Sequence, residues 1–436
     1  MHVDRATRSK ATAHLDGIRG FASLLVYWHH HELWFHNSLR KALEAAFGFN
    51  NEYYFVTLPG IRSFFTGGHF AVAMFFVVSG YTISIKCIKL IHTATFVELG
   101  DTVSSAFFRR WPRLFLLFIG TTIIYITGCH IIGIPVPRVL SSDSLRLDLS
   151  SWSNEFWTYS FVFAENTDRW FSFQDHLWTI PLELKGSYFV YTTLLVLSKC
   201  SASRRLYIEM LLLLYLLYLV DGWYFAKFIA GTMLAELDLL NSVDDLAPFW
   251  AGIQWTRRCF CHPLLVLSIY LAGVPHFDNL SAHNGWYHLS LLKPDSMSDG
   301  KWFYLFCSAL LFVSSVRFIS TLRQVFESRI MQYLEKLSFA LYLVHGPILW
   351  IIGDRLYGLV EFLTHSELVP ESKMAYQRNS LHKILDAGPV GLKVGFLMAQ
   401  LLLLPLTLTV AELTRKFIDQ PSVAVSQFIY QRIIDS

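Results

Sequence analysis

Leu15-Asp-Gly-Ile-Arg-Gly-Phe-Ala-Ser-Leu-Leu-Val-Tyr-Trp-His-His-His31 is the first apolar stretch of the chain, and it carries charge near one end and imidazoles at the other. Arg19 and His30 are eleven residues apart. At about 100° per residue a helix brings both onto one face within about 20°, separated by roughly 16 Å along the axis. An arginine near a bilayer surface and a histidine deeper inside are costly placements, and such residues read as functional by default. A cation and a base aligned in this way can hold the two ends of one long ligand. His29, His30 and His31 point about 100° apart, so they cannot jointly clamp one ion, and no metal is expected.

The chain around that stretch has the same character. Of its 436 residues, 53% are hydrophobic and 16% charged, and mean hydropathy is +0.40. A soluble domain carries about a quarter charged residues. Apolar runs near 17–35, 68–90, 114–134, 176–198, 206–221, 223–240, 260–274, 302–319, 337–353 and 390–413 predict an all-α, polytopic integral membrane protein with about ten transmembrane helices. Every second loop is basic: Lys86, Lys89, Arg109, Arg110 and Arg113, then Lys199, Arg204 and Arg205, then Arg257 and Arg258, then Arg317, Arg323, Arg329 and Lys336, and finally Arg415 and Lys416. The positive-inside rule then puts both termini in the cytosol. Arg5, Arg8 and Lys10 before the first run read as an uncleaved signal-anchor. Residues 1–413 form one transmembrane domain on this reading, and 414–436 a short cytosolic tail.

Other bulk features narrow the partners. A net charge of only +3 gives no reason to expect a nucleic acid. Cys87, Cys129, Cys200, Cys259, Cys261 and Cys307 form no disulfide framework and no paired zinc spacing. The loops near 36–67, 135–175, 275–301 and 354–389 are long and of mixed charge. They read either as a cap over an acceptor site or as packing on the membrane surface, with Trp152, Trp157, Trp170, Trp286 and Trp302 suited to interfacial anchoring.

Ionisable residues inside the runs are the informative set. Besides Asp16, Arg19 and His30 they are His69, His176, Glu183, Lys185 and His345, accompanied by Ser79, Tyr81, Trp178 and Tyr342. His30, Glu183 and His345 are expected at comparable depths, with Glu183 about 10 Å below His176. Each has a plain alternative. A buried histidine can simply complete packing, and Glu183 and Lys185 can neutralise each other or a neighbouring helix.

At these positions the chain resembles the integral-membrane acyltransferases of type 3, which include bacterial polysaccharide O-acetyltransferases. Leu15-Asp-Gly-Ile-Arg-Gly20 with a histidine eleven after the arginine is similar to that family's opening signature. Phe75-Phe-Val-Val-Ser-Gly-Tyr81 resembles its second-span motif, and Arg109-Arg-Trp-Pro-Arg-Leu114 its basic stretch before the third span. His176-Leu-Trp-Thr-Ile-Pro-Leu-Glu-Leu-Lys-Gly186 and Leu337-Ser-Phe-Ala-Leu-Tyr-Leu-Val-His-Gly-Pro347 resemble the variant common in fungal members. Two departures are the flanking His29 and His31 and the lack of the hydrolase-like domain fused to some bacterial members.

The resemblance implies transfer of an acyl group, most often acetyl, from acetyl-CoA or another acyl-CoA as co-substrate to an alcohol, a secondary-metabolite or glycan hydroxyl in the fungal variant. The membrane of residence is then the endoplasmic reticulum or another endomembrane. Arg19, Arg109, Arg110 and Arg113 are the candidates for the coenzyme's phosphates. His30 is the candidate general base, with Asp16 orienting Arg19 and Glu183 either orienting His30 or binding the acceptor. His69, Ser79, Tyr81, His176, Trp178, Lys185, Tyr342 and His345 complete the expected pocket. An acyl-histidine intermediate is the competing mechanism. A proton-coupled transporter would also explain ionisable residues at mid-depth. It leaves the Arg19–His30 spacing and the basic stretch Arg109–Arg113 without a purpose.

Overall fold

The computed structural model describes residues 12–133, 144–163, 170–240, 248–276, 279–364 and 385–434. Arg5, Arg8 and Lys10 lie outside them, as do parts of the loops at 135–175, 275–301 and 354–389. The described residues are helical with no strand. The principal helices are α1 (Ala13–Phe35), α2 (Gly68–His92), α3 (Phe96–Ile132), α4 (Leu145–Ser160), α5 (Thr179–Val196), α6 (Ala202–Tyr218) and α7 (Trp223–Leu240). They continue with α8 (Pro248–Cys259), α9 (Cys261–Ala272), α10 (Lys301–Val316), α11 (Ser320–Phe326), α12 (Arg329–Ile348), α13 (Asp354–Thr364), α14 (Val394–Thr414) and α15 (Gln420–Ile434).

Each of the ten apolar segments holds a helix, and the break at Asp221–Gly222 keeps α6 and α7 separate. Helix and apolar run do not share boundaries, however. α3 begins at Phe96, well before the apolar run at 114, and α12 passes through a wide turn at Leu349–Gly353 into α13. Backbone hydrogen bonding continues a helix past the point where its side chains turn polar. Among the described residues, four helical stretches are long and apolar enough to cross a membrane: α2, α3, α12 with α13, and α14 with α15. Counting α10 and α11, bent by 98°, as one span makes five. α1 is not among them; it has 23 residues, about 34 Å of helix, but Asp16, Arg19, His29, His30, His31 and Glu32 make it polar.

That polarity is affordable because α1 sits inside the bundle, packed on α2 and α12. Small residues set the spacing, as they do where lipid leaves no hydrophobic drive between helices. A Cβ on Gly80 of α2 would lie 2.0 Å from the carbonyl oxygen of Phe228 on α7, and one on Gly231 of α7 2.0 Å from that of Val77. Gly17 of α1 meets the Phe326 carbonyl oxygen of α11 as closely, at 1.8 Å. The glycines of the opening signature and of the second-span motif are therefore helix contacts.

Several charges assigned above to loops are buried pairs. Arg205, 1% exposed, donates from Nε and Nη2 to the two carboxylate oxygens of Glu236 at 3.0 and 2.6 Å, and His92 Nε2 reaches the same carboxylate at 2.7 Å. Asp238 is held by Arg257 and Arg317. Of the tryptophans assigned to the interface, Trp152, Trp286 and Trp302 are buried in packing, whereas Trp157 and Trp170 are exposed. All six cysteines are free thiols. Residues 414–436, read above as a short cytosolic tail, are helical through Ile434: α14 runs through a wide turn at Arg415–Asp419 into α15. α15 packs on α3, with Ile418 at Gly120 and Tyr430 at Phe108.

Gly80→Ala is expected to cost about 1–3 kcal/mol through forced separation of α2 and α7, read as a lowered melting midpoint of the purified protein. Gly128→Ala on α3, with no atom within 4 Å of the new methyl, should leave the midpoint unchanged or raise it.

Candidate active site

The three adjacent histidines of α1 separate as their helical angles require. His31 turns toward α13, where its Nδ1 meets the Tyr357 hydroxyl at 2.6 Å. That hydroxyl is tied through Gln400 to Tyr27 by bonds of 2.6 and 2.7 Å. His29 faces His69 and His276, with ring centroids 5.8 and 6.3 Å away. His30 faces His345 of α12 and His176, at 4.9 and 6.0 Å. His176 and His345 are 4.6 Å apart, and His69 and His276 form a second pair with Nδ1 and Nε2 3.3 Å apart. Six histidines, two of them from α1, thus share one region. Among the described residues no group of three or more His, Cys, Asp or Glu is arranged to hold a metal ion.

Hydrogen bonds assign the protons at His30. Its Nδ1 lies 2.9 Å from the Val26 carbonyl oxygen, and Nδ1 of His345 lies 3.2 Å from that of Leu341. Carbonyl oxygens only accept, so each ring carries its proton on Nδ1. His345 Nε2, 3.2 Å from His30 Nδ1, then shares the His30 proton as a second acceptor. This leaves a lone pair on His30 Nε2, and His30 is half-buried where His29, His31, His176 and His345 are buried.

A cavity of about 1180 Å³ approaches this cluster from the basic end of the helices. Its mouth carries Lys86, Lys89, Arg109 and Arg113, and Arg19, Arg110, Arg317, Asp16, Glu183, Ser79 and Tyr81 line its walls. Its other end is walled by Val26, Thr179 and Tyr342. Tyr342 donates to the His176 carbonyl oxygen, and Thr179 donates to the Tyr342 hydroxyl at 2.7 Å. Val26 is also the residue whose carbonyl holds His30. One layer of side chains therefore separates cavity and imidazoles.

The acidic residues stand differently from their expected roles. Arg19 pairs with Glu335 of α12 at 3.5 Å; Asp16 lines the cavity beside it without forming that pair. Glu183 lies with Arg110, whose Nη2 is 2.5 Å from its carboxylate and whose Nε donates to Ser187 Oγ at 2.9 Å. Glu183 is four residues into α5, whereas His176 precedes that helix. The structure thus puts Glu183 with the arginines of α3, because α3 crosses α5 at that level. Tyr81 donates to Asp238 at 3.2 Å. Trp178 packs among Trp223, Trp302 and His69, and Lys185 is half-buried and does not itself line the cavity.

The acyltransferase domain model matches residues 13–413 of the chain. The chain belongs to that acyltransferase family. It is 25% identical to O-acetyltransferase PaAT-1 of Phomopsis amygdali over 97% of this chain and 85% of that protein. It is 24% identical to acyltransferase clz18 of Cochliobolus lunatus over 94% of each. Acyltransferase R4 of Phoma sp. is 25% identical over 80% of this chain and 85% of its own. No solved structure matches the chain.

Within this acyltransferase-family fold, several residues escape sequence reading as site members. His276 sits in a loop whose position over α2 depends on tertiary packing. Thr179 and Glu335 are ordinary helix residues until Tyr342 and Arg19 face them. Lys86 and Lys89 did leave a signal: Ser79, Thr82, Lys86 and Lys89 recur at three and four residues, one face of α2. Arg110→Ala should lower the melting midpoint by leaving the Glu183 carboxylate without its cation, at a cost of about 1–3 kcal/mol for a partly buried pair. The double variant Arg110→Ala/Glu183→Gln should recover part of that loss, which a double-mutant cycle measures directly.

Proposed function

We propose that this protein is a multi-pass membrane O-acyltransferase that moves an acyl group, acetyl in the first instance, from acyl-CoA to a hydroxyl of a secondary metabolite or glycan. The ten helical segments are crossings, both termini are cytosolic, and the membrane is the endoplasmic reticulum or another endomembrane. The observation that carries this reading is the cavity between the cations and the imidazoles. Among the described residues, no carboxylate pairs with Lys86, Lys89, Arg109 or Arg113. Four cations that form no ion pair, with the Asp419 carboxylate acting on Arg113 from a distance, favour an anionic ligand, and coenzyme A carries several phosphate charges on a long neutral arm.

The arm runs inward past Arg19 and brings the thioester to the Thr179–Tyr342 end. His30 Nε2 takes the proton of the acceptor hydroxyl as its oxygen attacks the thioester carbon. The hydroxyl protons of Tyr342 and Thr179 lie on the His176 carbonyl and the Tyr342 hydroxyl in this structure, so on this reading one of them turns to donate to the resulting oxyanion. The carbon–oxygen bond forms, the carbon–sulfur bond breaks, and the leaving thiolate takes the proton back from the imidazolium. The second nitrogen of His30 stays bound to Val26 throughout, which fixes the ring as a base. Because Val26, Thr179 and Tyr342 stand between the cavity and the imidazoles, this route requires that layer to open when the thioester arrives. The name of the Phomopsis amygdali relative, an O-acetyltransferase, supports the oxygen acceptor and the acetyl donor.

Coenzyme A titrated into the purified protein should bind saturably. Arg19→Ala and Arg113→Ala should each weaken that binding about tenfold or more, the worth of a charge-assisted contact. His30→Ala should keep the binding and reduce transfer by about 10²–10⁴-fold. The acceptor for that assay is the metabolite whose acylated form disappears, by mass spectrometry, from a strain lacking the protein. Normal transfer by His30→Ala would overturn the assignment of the base. A radiolabelled acyl group retained on the protein without acceptor would replace direct transfer with the acyl-histidine route.

A further inference from the structure

The family match ends at residue 413, yet the chain beyond it forms part of the cavity. Val423, Ser426 and Gln427 of α15 line the opening together with the cations of α2 and α3. Asp419, Val423, Ser426 and Tyr430 follow at intervals of four, three and four, a single helical face, and this face lies along α3. Ile418 meets Gly120 and Tyr430 meets Phe108, with ring centroids 5.6 Å apart. Equal steps along the two helices, in opposite directions, make this an antiparallel pair. Arg109 is fixed by it, its Nε donating to the Ser105 carbonyl at 3.1 Å and its guanidinium 6.0 Å from the centre of the Tyr430 ring.

We propose that α15 is a working wall of the donor site: it closes one side of the mouth against the phosphate-bearing nucleotide end of the acyl-CoA and holds Arg109 toward it. This rests on the acyl-CoA reading above and assigns a segment and residues to it. Gln427 is the polar group that α15 contributes at the opening. It is exposed, uncharged and lines the same cavity as Lys86, Lys89, Arg109 and Arg113. Ser426 is buried and spends its proton on the Val423 carbonyl at 2.8 Å, so it shapes the wall. A phosphate entering the mouth passes the Gln427 amide while the neutral pantetheine arm lies deeper, against Phe75, Ile180 and Phe339.

The test compares coenzyme A with pantetheine, which has the thiol arm and no nucleotide, as ligands of the full-length purified protein. Gln427→Glu should raise the dissociation constant for coenzyme A about three- to tenfold at low salt, and Gln427→Lys should lower it by a similar factor. That is the size and sign expected of one charge several ångströms from a phosphate near solvent. Both effects should shrink in high salt, and neither substitution should move the constant for pantetheine. Truncation after Asp419 should weaken coenzyme A alone. The two charge variants decide the matter if the truncated chain does not fold. The proposal falls if both substitutions leave the coenzyme A constant within about twofold, or if pantetheine shifts in parallel with it. Unsubstituted protein that binds no coenzyme A would instead remove the donor reading itself, so the two failures are told apart on the first titration.

Discussion

An imidazole inside a helix bundle must be hydrogen-bonded, and the shared proton between His30 of α1 and His345 of α12 is how this molecule meets that demand. The bond is short enough to require close contact between the two helices, and the small residues of the opening signature provide it. Gly17 and Gly20 allow the α1 backbone to touch α11 and α12, which brings Arg19 to Glu335 at one end and His30 to His345 at the other. α1 carries charge and imidazoles through its length, and its neighbours complete His30 through Val26 and His345 and one nitrogen of His31 through Tyr357. Among the described residues, both nitrogens of His176, Nδ1 of His29, Nε2 of His31 and the carboxylate of Glu32 have no hydrogen-bond partner.

Charge is handled in two ways in this fold. Away from the cavity, Arg205 and Glu236 are matched tightly, because breaking one member of a buried pair leaves an expensive lone charge. Around the mouth, Lys86, Lys89, Arg109 and Arg113 are gathered and form no ion pair among the described residues, Asp419 acting on Arg113 without reaching it. A protein that pairs its buried charges elsewhere and collects unmatched cations at one opening has stored an electrostatic preference for an anion there. The Glu183–Arg110 and Asp238–Arg317 pairs line the same cavity and keep its walls close to neutral below the mouth.

Sequence alone determined that the chain is helical and apolar, that α1 carries a cation and a base on one face, and which family it belongs to, since the motifs in order at residues 15–20, 75–81, 109–114, 176–186 and 337–347 are local patterns. Helical period also foretold that His29, His30 and His31 must diverge. The tertiary structure decided which of them meets His345, that Arg19 answers to Glu335 rather than Asp16, that Glu183 belongs with Arg110, and that His276 and the helix at Gln420–Ile434 join the site. The physical reason is one of range. Side-chain direction follows from the 3.6-residue turn and can be counted along the chain, whereas the partner across an interface depends on how two helices are rotated and how closely their small residues let them approach, which no single segment encodes.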